Sequence, residues 1–223
     1  MIEAEASTRK EDVITDLEHM TRTAEHTEAA ALADLMVSVP PATSAPDGLT
    51  GWLESRNVRR HNRWVRLWHP VDTPLQDTPQ TDLRVTEIGP ADADEFARVV
   101  RDAYGFPPEV DEWTASPVGR PGWTHYGAWD GSDLVATGAM FTTGRVAWIA
   151  FAATKASHRG RGAQSSLIAE RVRRASELGC DWVITETAEE LPDRPAPSYR
   201  NLRRLGFTDA YRRQNYVADL AGR

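Results

Sequence analysis

The chain has 223 residues, enough for one substantial core and a smaller appendage, since domains commonly run to about 100–200 residues. It is 40% hydrophobic and 26% charged, with a formal net charge of −7, which argues against a disordered or fibrous protein. No apolar run approaches the roughly 18–20 residues needed to cross a bilayer, and the acidic opening MIEAEASTRKEDVITDLEHM lacks a basic n-region, so a cytoplasmic protein is expected.

Residues 1–81 read as an N-terminal extension of helix and strand. TEAAALADLMVSV has the pattern of a helix, and the Pro-rich PPATSAPDG that follows has the composition of a linker. LTGWLESRNVRRHNRWVRLWHP suggests a short helix ending near Asn57, then a strand carrying Trp64 and Trp68. The linker VDTPLQDTPQTD closes this part.

From Asp82 to Arg223 the pattern becomes that of one regular domain. DLRVTEIGP is a strand, and ADADEFARVVRDAYG is a helix with acidic residues in its first turn and Gly105 at its end. Three strands follow, broken at Asp130-Gly131 and Thr143-Gly144. Next come a helix from about Ala163 to Leu178, the strand DWVITETA, the helix PSYRNLRRL stopped by Gly206, and a last strand near AYRRQNYVADL. The fold class is α/β of the α+β type.

Charge is unevenly spread. From Lys155 onward there are 13 Lys+Arg against 9 Asp+Glu, a net of +4, whereas residues 1–154 carry 13 against 24, a net of −11. A polyanionic ligand is drawn to the basic end, and the acidic remainder suits a cationic one.

The basic end holds SHRGRGAQSSL, which lies between an apolar strand and a helix. A helix N-terminus offers free N–H groups and the positive end of the dipole. Gly160 and Gly162 let the backbone come close to a ligand, and Arg159 and Arg161 add charge-assisted hydrogen bonds, so the stretch describes a pyrophosphate cradle. It is not a Walker A loop, because Ala163-Gln164 stand where Lys-Ser/Thr is required. Nor is it a Rossmann fingerprint: Ser165 replaces the third glycine and Lys155–Arg159 separate the strand from the glycines.

Arg159-Gly160-Arg161-Gly162-Ala163-Gln164 resembles the R-x-x-G-x-G/A signature of the GNAT (GCN5-related N-acetyltransferase) superfamily, with Gln164 in place of the last small residue. SYRNLRRLGF, from Ser198 to Phe207, resembles that family's Asn-Leu-x-x-x-Gly-Phe segment. The resemblance covers residues 82–217 and implies a mixed, mostly antiparallel sheet, splayed between its fourth and fifth strands and flanked by helices. It further implies an acyl-CoA-dependent N-acyltransferase that moves acetyl from acetyl-CoA, a cosubstrate, to a primary amine of a small molecule by direct attack. A non-catalytic coenzyme A-binding or interaction module with the same fold is the alternative.

By the same resemblance, the pantetheine arm pairs with Ala152, Ala153 and Thr154, the amides of Arg159 to Gln164 hold the pyrophosphate, and Asn201 sits near the thioester end. Glu186, followed by Glu189 and Glu190, is the candidate base. A tyrosine that many members use as the acid is replaced by Leu202, leaving Tyr199, one turn earlier, as the candidate.

His125 and His158 have no partner at ligand spacing and read as structural, so no metal is expected. Cys180, the single cysteine, excludes an intramolecular disulfide and reads as a small buried residue. The Arg- and Trp-rich stretch before His69 better fits a packed strand than a nucleic-acid surface. Its helix–cap–strand pattern echoes NLRRLGFTDAYRRQNYV, suggesting a degenerate GNAT-like remnant in residues 1–81. The expected partner is therefore a small amine, without membrane or nucleic acid, and a homodimer is compatible.

Overall fold

A computed structural model describes residues 37–39, 48–56, 58–77 and 80–218. The chain divides into two compact units, one comprising Met1–Trp68, Glu186–Arg200 and Thr208–Arg223, the other His69–Thr185 and Asn201–Phe207. No described helix is long and apolar enough to cross a membrane.

In the first unit, β1 (Val37–Val39) pairs antiparallel with β8 (Thr208–Ala218), which pairs antiparallel with β2 (Val58–Pro70). Val37–Val39 thus departs from the expected helix. Two β-branched residues flank Ser38 and share a ladder with Gln214–Tyr216, a tertiary pairing that overrides local periodicity. The rest of that expected helix, the first linker and the Asn57 cap lie outside the described residues. Helix α1 (Leu49–Glu54) precedes β2, and its Leu53 and Leu49 pack on Tyr216.

The second unit carries β3 (Arg84–Ile88), α2 (Ala93–Tyr104), α3 (Val110–Ala115), β4 (Trp123–Asp130), β5 (Asp133–Thr143), β6 (Val146–Thr154), α4 (Ala163–Glu177) and the first part of β7 (Trp182–Ala188), as far as Thr185. Helix α5 (Pro197–Arg204) follows β7 in the chain. These elements match the order read from Asp82 onward. Strands β3 to β6 form an antiparallel meander, each paired with the next, and β7 runs parallel to its neighbour β6.

Both sheet faces are covered. On one, α2 buries Phe96, Val99 and Val100 against Ile88, Leu134 and Ala139; full burial of Phe96 alone contributes about 2–3 kcal/mol. On the other, Ala163 and Leu167 of α4 pack on Leu83, Tyr126, Val135 and Ala136. The parallel β6–β7 pairing joins only Val146–Trp148 to Trp182–Ile184. A last link, from the Thr185 hydroxyl to the Ile149 carbonyl at 2.9 Å, precedes the splay expected between the domain's fourth and fifth strands.

Candidate functional site

The loop ahead of α4 is shaped by two left-handed residues, Gly160 at φ 80° and Gly162 at φ 78°. No side chain caps the α4 N-terminus and no acidic residue sits in its first turn, so the dipole of this 15-residue helix is not neutralised locally. The two glycines serve different ends. A Cβ on Gly160 would meet nothing within 4 Å, leaving that side open to an approaching ligand. A Cβ on Gly162 would lie 2.8 Å from the Gln80 carbonyl oxygen, so glycine is required there by the packed chain.

The two arginines differ as well. Arg159 is exposed and makes no ion pair among the described residues, which leaves it available to an anion. Arg161 is instead committed to the protein: it binds the Asp82 carboxylate and donates to Asp130 at 2.6 Å, while His158 shares the same Asp130 oxygen at 3.2 Å. Hydrogen bonds from Arg161 hold the Asp82 and Asp130 carboxyls below their usual range, and the carboxylates raise the guanidinium in return. Arg161 therefore fastens the loop to the ends of β3 and β4.

Gln164, which departs from the signature, ties the first turn of α4 to β6. Its amide nitrogen lies 2.7 Å from the Ala153 carbonyl, 3.0 Å from the Thr154 hydroxyl and 3.2 Å from the Thr137 carbonyl. A small residue has no group to do this.

Strand β6 is bulged here. Its register to β5 passes from Ala139↔Ala150 to Thr137↔Ala153, leaving Phe151 and Ala152 opposite a single residue, and Phe151 takes a left-handed φ of 51°. The guanidinium of Arg171, from the buried face of α4, enters the gap: it donates to Ala139 at 3.1 Å, Ala150 at 3.2 Å and Leu167 at 2.9 Å. Gly138 makes room, since a Cβ there would fall 2.7 Å from the Arg171 Cζ. Complete burial lowers the Arg171 pKa to about 10, so it stays charged at neutral pH, and its Nη2 has no hydrogen-bond partner. At the bulge, the Ala152 carbonyl accepts the Tyr104 hydroxyl at 3.2 Å.

Asn201 is brought to the first turn of α4, where its Oδ1 accepts Ser165 at 2.9 Å and Arg204 at 2.6 Å. Leu202 is buried. In the other unit, the Tyr199 hydroxyl donates to the Asp209 carboxylate at 3.0 Å. Glu186 is clamped between Arg213 at 2.8 Å and Arg66 at 3.4 Å, all three side chains nearly inaccessible to solvent. Glu189 repeats the motif between Arg63 and Arg212, each at 2.8 Å, and Glu190 pairs with Arg200. Of the arginines in the segment before His69, Arg63 and Arg66 are thus paired with carboxylates.

Sequence reasoning missed Arg171, Tyr104 and the two aspartates that fix Arg161. Arg171 carried a signal: it lies four residues from both Leu167 and Ala175, on the stripe that faces the sheet. The aspartates carried none, because nothing local announces a partner 79 positions away.

No family model and no curated protein matches the chain. Solved structures do. A GCN5-related N-acetyltransferase from Sphaerobacter thermophilus superposes with a TM-score of 0.63 at 19% identity over 83% of this chain, which spans 60% of that protein. One from Kribbella flavida gives 0.60 at 19% identity over 83% of this chain and 69% of its own. A conserved protein of unknown function from Staphylococcus epidermidis gives 0.59 at 9% identity over 94% of this chain and 80% of its own. Likeness at such identities establishes the fold.

Proposed function

We propose that this chain, which has the GNAT fold, is an acyl-CoA-dependent N-acyltransferase that passes acetyl to a primary amine of a small molecule. The observation that carries the reading is the uncapped α4 N-terminus behind an open Gly160, set at the end of a strand whose pairing with β7 stops after Trp148. An anion fits the first feature and an extended chain the second.

Bound acetyl-CoA supplies an activated acyl carbon. In this reading, Arg159 and the amides of 160–164 hold its pyrophosphate, with Ala163 and Gln164 opening the helix and Arg161 holding the loop in shape. The edge formed by Ala152, Ala153 and Thr154 aligns the arm, and the Tyr104 hydroxyl yields the Ala152 carbonyl when the arm arrives. Asn201 is carried beside it by Ser165. The neutral amine nitrogen attacks the thioester carbonyl carbon, the C–S bond breaks, the acylated nitrogen gives up its surplus proton to water or a side chain, and the departing thiolate takes one up.

Glu186 and Tyr199 enter this reading as the candidate base and acid. A carboxylate shared by two buried guanidinium groups is held in place rather than offered to a substrate, and the Tyr199 hydroxyl is similarly bound to Asp209. That commitment, with Leu202 at the acid's usual place, is what favours the non-catalytic alternative. Thiol release from acetyl-CoA in a panel of amines decides between them: turnover with any amine rules out a non-catalytic module, and binding without turnover favours it.

A further inference from the structure

The most aromatic part of the second unit surrounds the β6 bulge. The Trp123 ring lies 5.2 Å from Phe141, 5.9 Å from Trp148 and 6.1 Å from Phe151, and Trp113 lies 5.5 Å from Phe151. Trp148 is buried, but the other four are part-exposed. Tyr104, whose hydroxyl reaches the Ala152 carbonyl of β6, stacks with Phe106 at 5.3 Å, the two remaining 52% and 40% exposed. Trp123 and Phe151 rest on the core beneath while part of each ring stays exposed, so these rings form a surface that a ligand can cover.

Two buried polar groups under it lack partners. His125, 1% exposed, stacks on Trp123 at 5.6 Å and meets Phe96 edge-on at 4.9 Å, yet neither ring nitrogen has a hydrogen bond. The indole N–H of Trp148 has none either. Such groups are rare in folded proteins because each forfeits its hydration for nothing.

We propose that this surface is the acceptor subsite and that it takes a primary amine carrying a flat apolar group, an inference that rests on the acyltransferase reading. The ring of Phe151 belongs to the aromatic surface, while its backbone forms the bulge beside Ala152, where the acyl-bearing arm is placed. A flat group stacked on Trp113 and Trp123 gains offset or edge contacts and covers the apolar area, and its ammonium end is attracted by the ring faces. An acyclic amine gains only the second of these.

The test is calorimetric titration of the full chain, without acetyl-CoA, with 2-phenylethylamine and with n-butylamine. The aryl amine should bind at least about tenfold more tightly. Trp113→Ala and Phe106→Ala, the latter at an exposed site, should each erode that preference while leaving acetyl-CoA affinity unchanged; Trp113→Ala lowers the melting temperature because its ring packs on Phe151, so acetyl-CoA binding is the check that it remains folded. Equal affinities, or a preference that survives in both variants, overturn the proposal. So does concentration-dependent self-association abolished by Trp113→Ala, which assigns the surface to a second copy of the chain. A parallel acetyl-CoA titration separates the two claims: acetyl-CoA binding without aryl preference sinks the subsite alone, and aryl preference without acetyl-CoA binding sinks the acyltransferase reading.

Discussion

Burial lowers the His125 pKa from 6.5 to about 4. Between those values the unfolded chain binds a proton that the folded chain refuses. Stability is therefore complete above pH 6.5 and falls on acidification toward pH 4, by up to about 1.4 kcal/mol per pH unit. Asp82 and Asp130, held low by Arg161, titrate below this window. Urea unfolding at pH 7.5 and pH 5 checks it: His125→Leu should flatten the difference, and an unchanged slope would contradict the assignment. The glycines make a second residue-level contrast. Gly160→Val costs about 1–2 kcal/mol for its left-handed backbone but should keep the fold and lose acetyl-CoA affinity. Gly162→Val adds an overlap with the Gln80 carbonyl and should lower the melting temperature further. The sequence announced the glycine pair, yet could not say that one faces open space and the other faces backbone, since that depends on where residue 80 returns.

At the scale of elements, the β6 bulge depends on Arg171. Arg171→Met removes three hydrogen bonds and strands the Ala139 and Ala150 carbonyls, which should cost about 2–4 kcal/mol in chemical denaturation. No change in the midpoint would show that the bulge stands without it. Strands β2 and β8 rest on a different device, the buried Arg66–Glu186–Arg213 cluster. Glu186→Gln removes the carboxylate that the two buried guanidinium groups share and should destabilise the chain by about 3–5 kcal/mol. A variant of wild-type stability with lost turnover would instead make Glu186 the base. Helices and strands from Asp82 onward were legible because amphipathic periods and Asp-Gly or Thr-Gly turns act locally. The pairing of Val58 with Ala218 was not, because antiparallel partners far apart in sequence leave no periodic trace. The same is true of β1, three residues whose conformation is set by Gln214–Tyr216.

For the molecule as a whole, composition and charge set the class, and positive charge is concentrated after Lys155, in the part of the chain that holds the Gly160–Gly162 loop. The change in composition near Asp82 is a one-dimensional feature. One compact unit draws on both ends of the chain, and the Gly160–Gly162 loop, the bulge and the aromatic surface all fall within the other, His69–Thr185 plus Asn201–Phe207. The measurement that tests the central claim most directly is calorimetric titration of the purified chain with acetyl-CoA, repeated with Gly160→Val. The account predicts saturable binding by the wild type, weakened at least about tenfold by the variant at retained fold. Absence of binding in the wild type, or equal affinity in the variant, would contradict it.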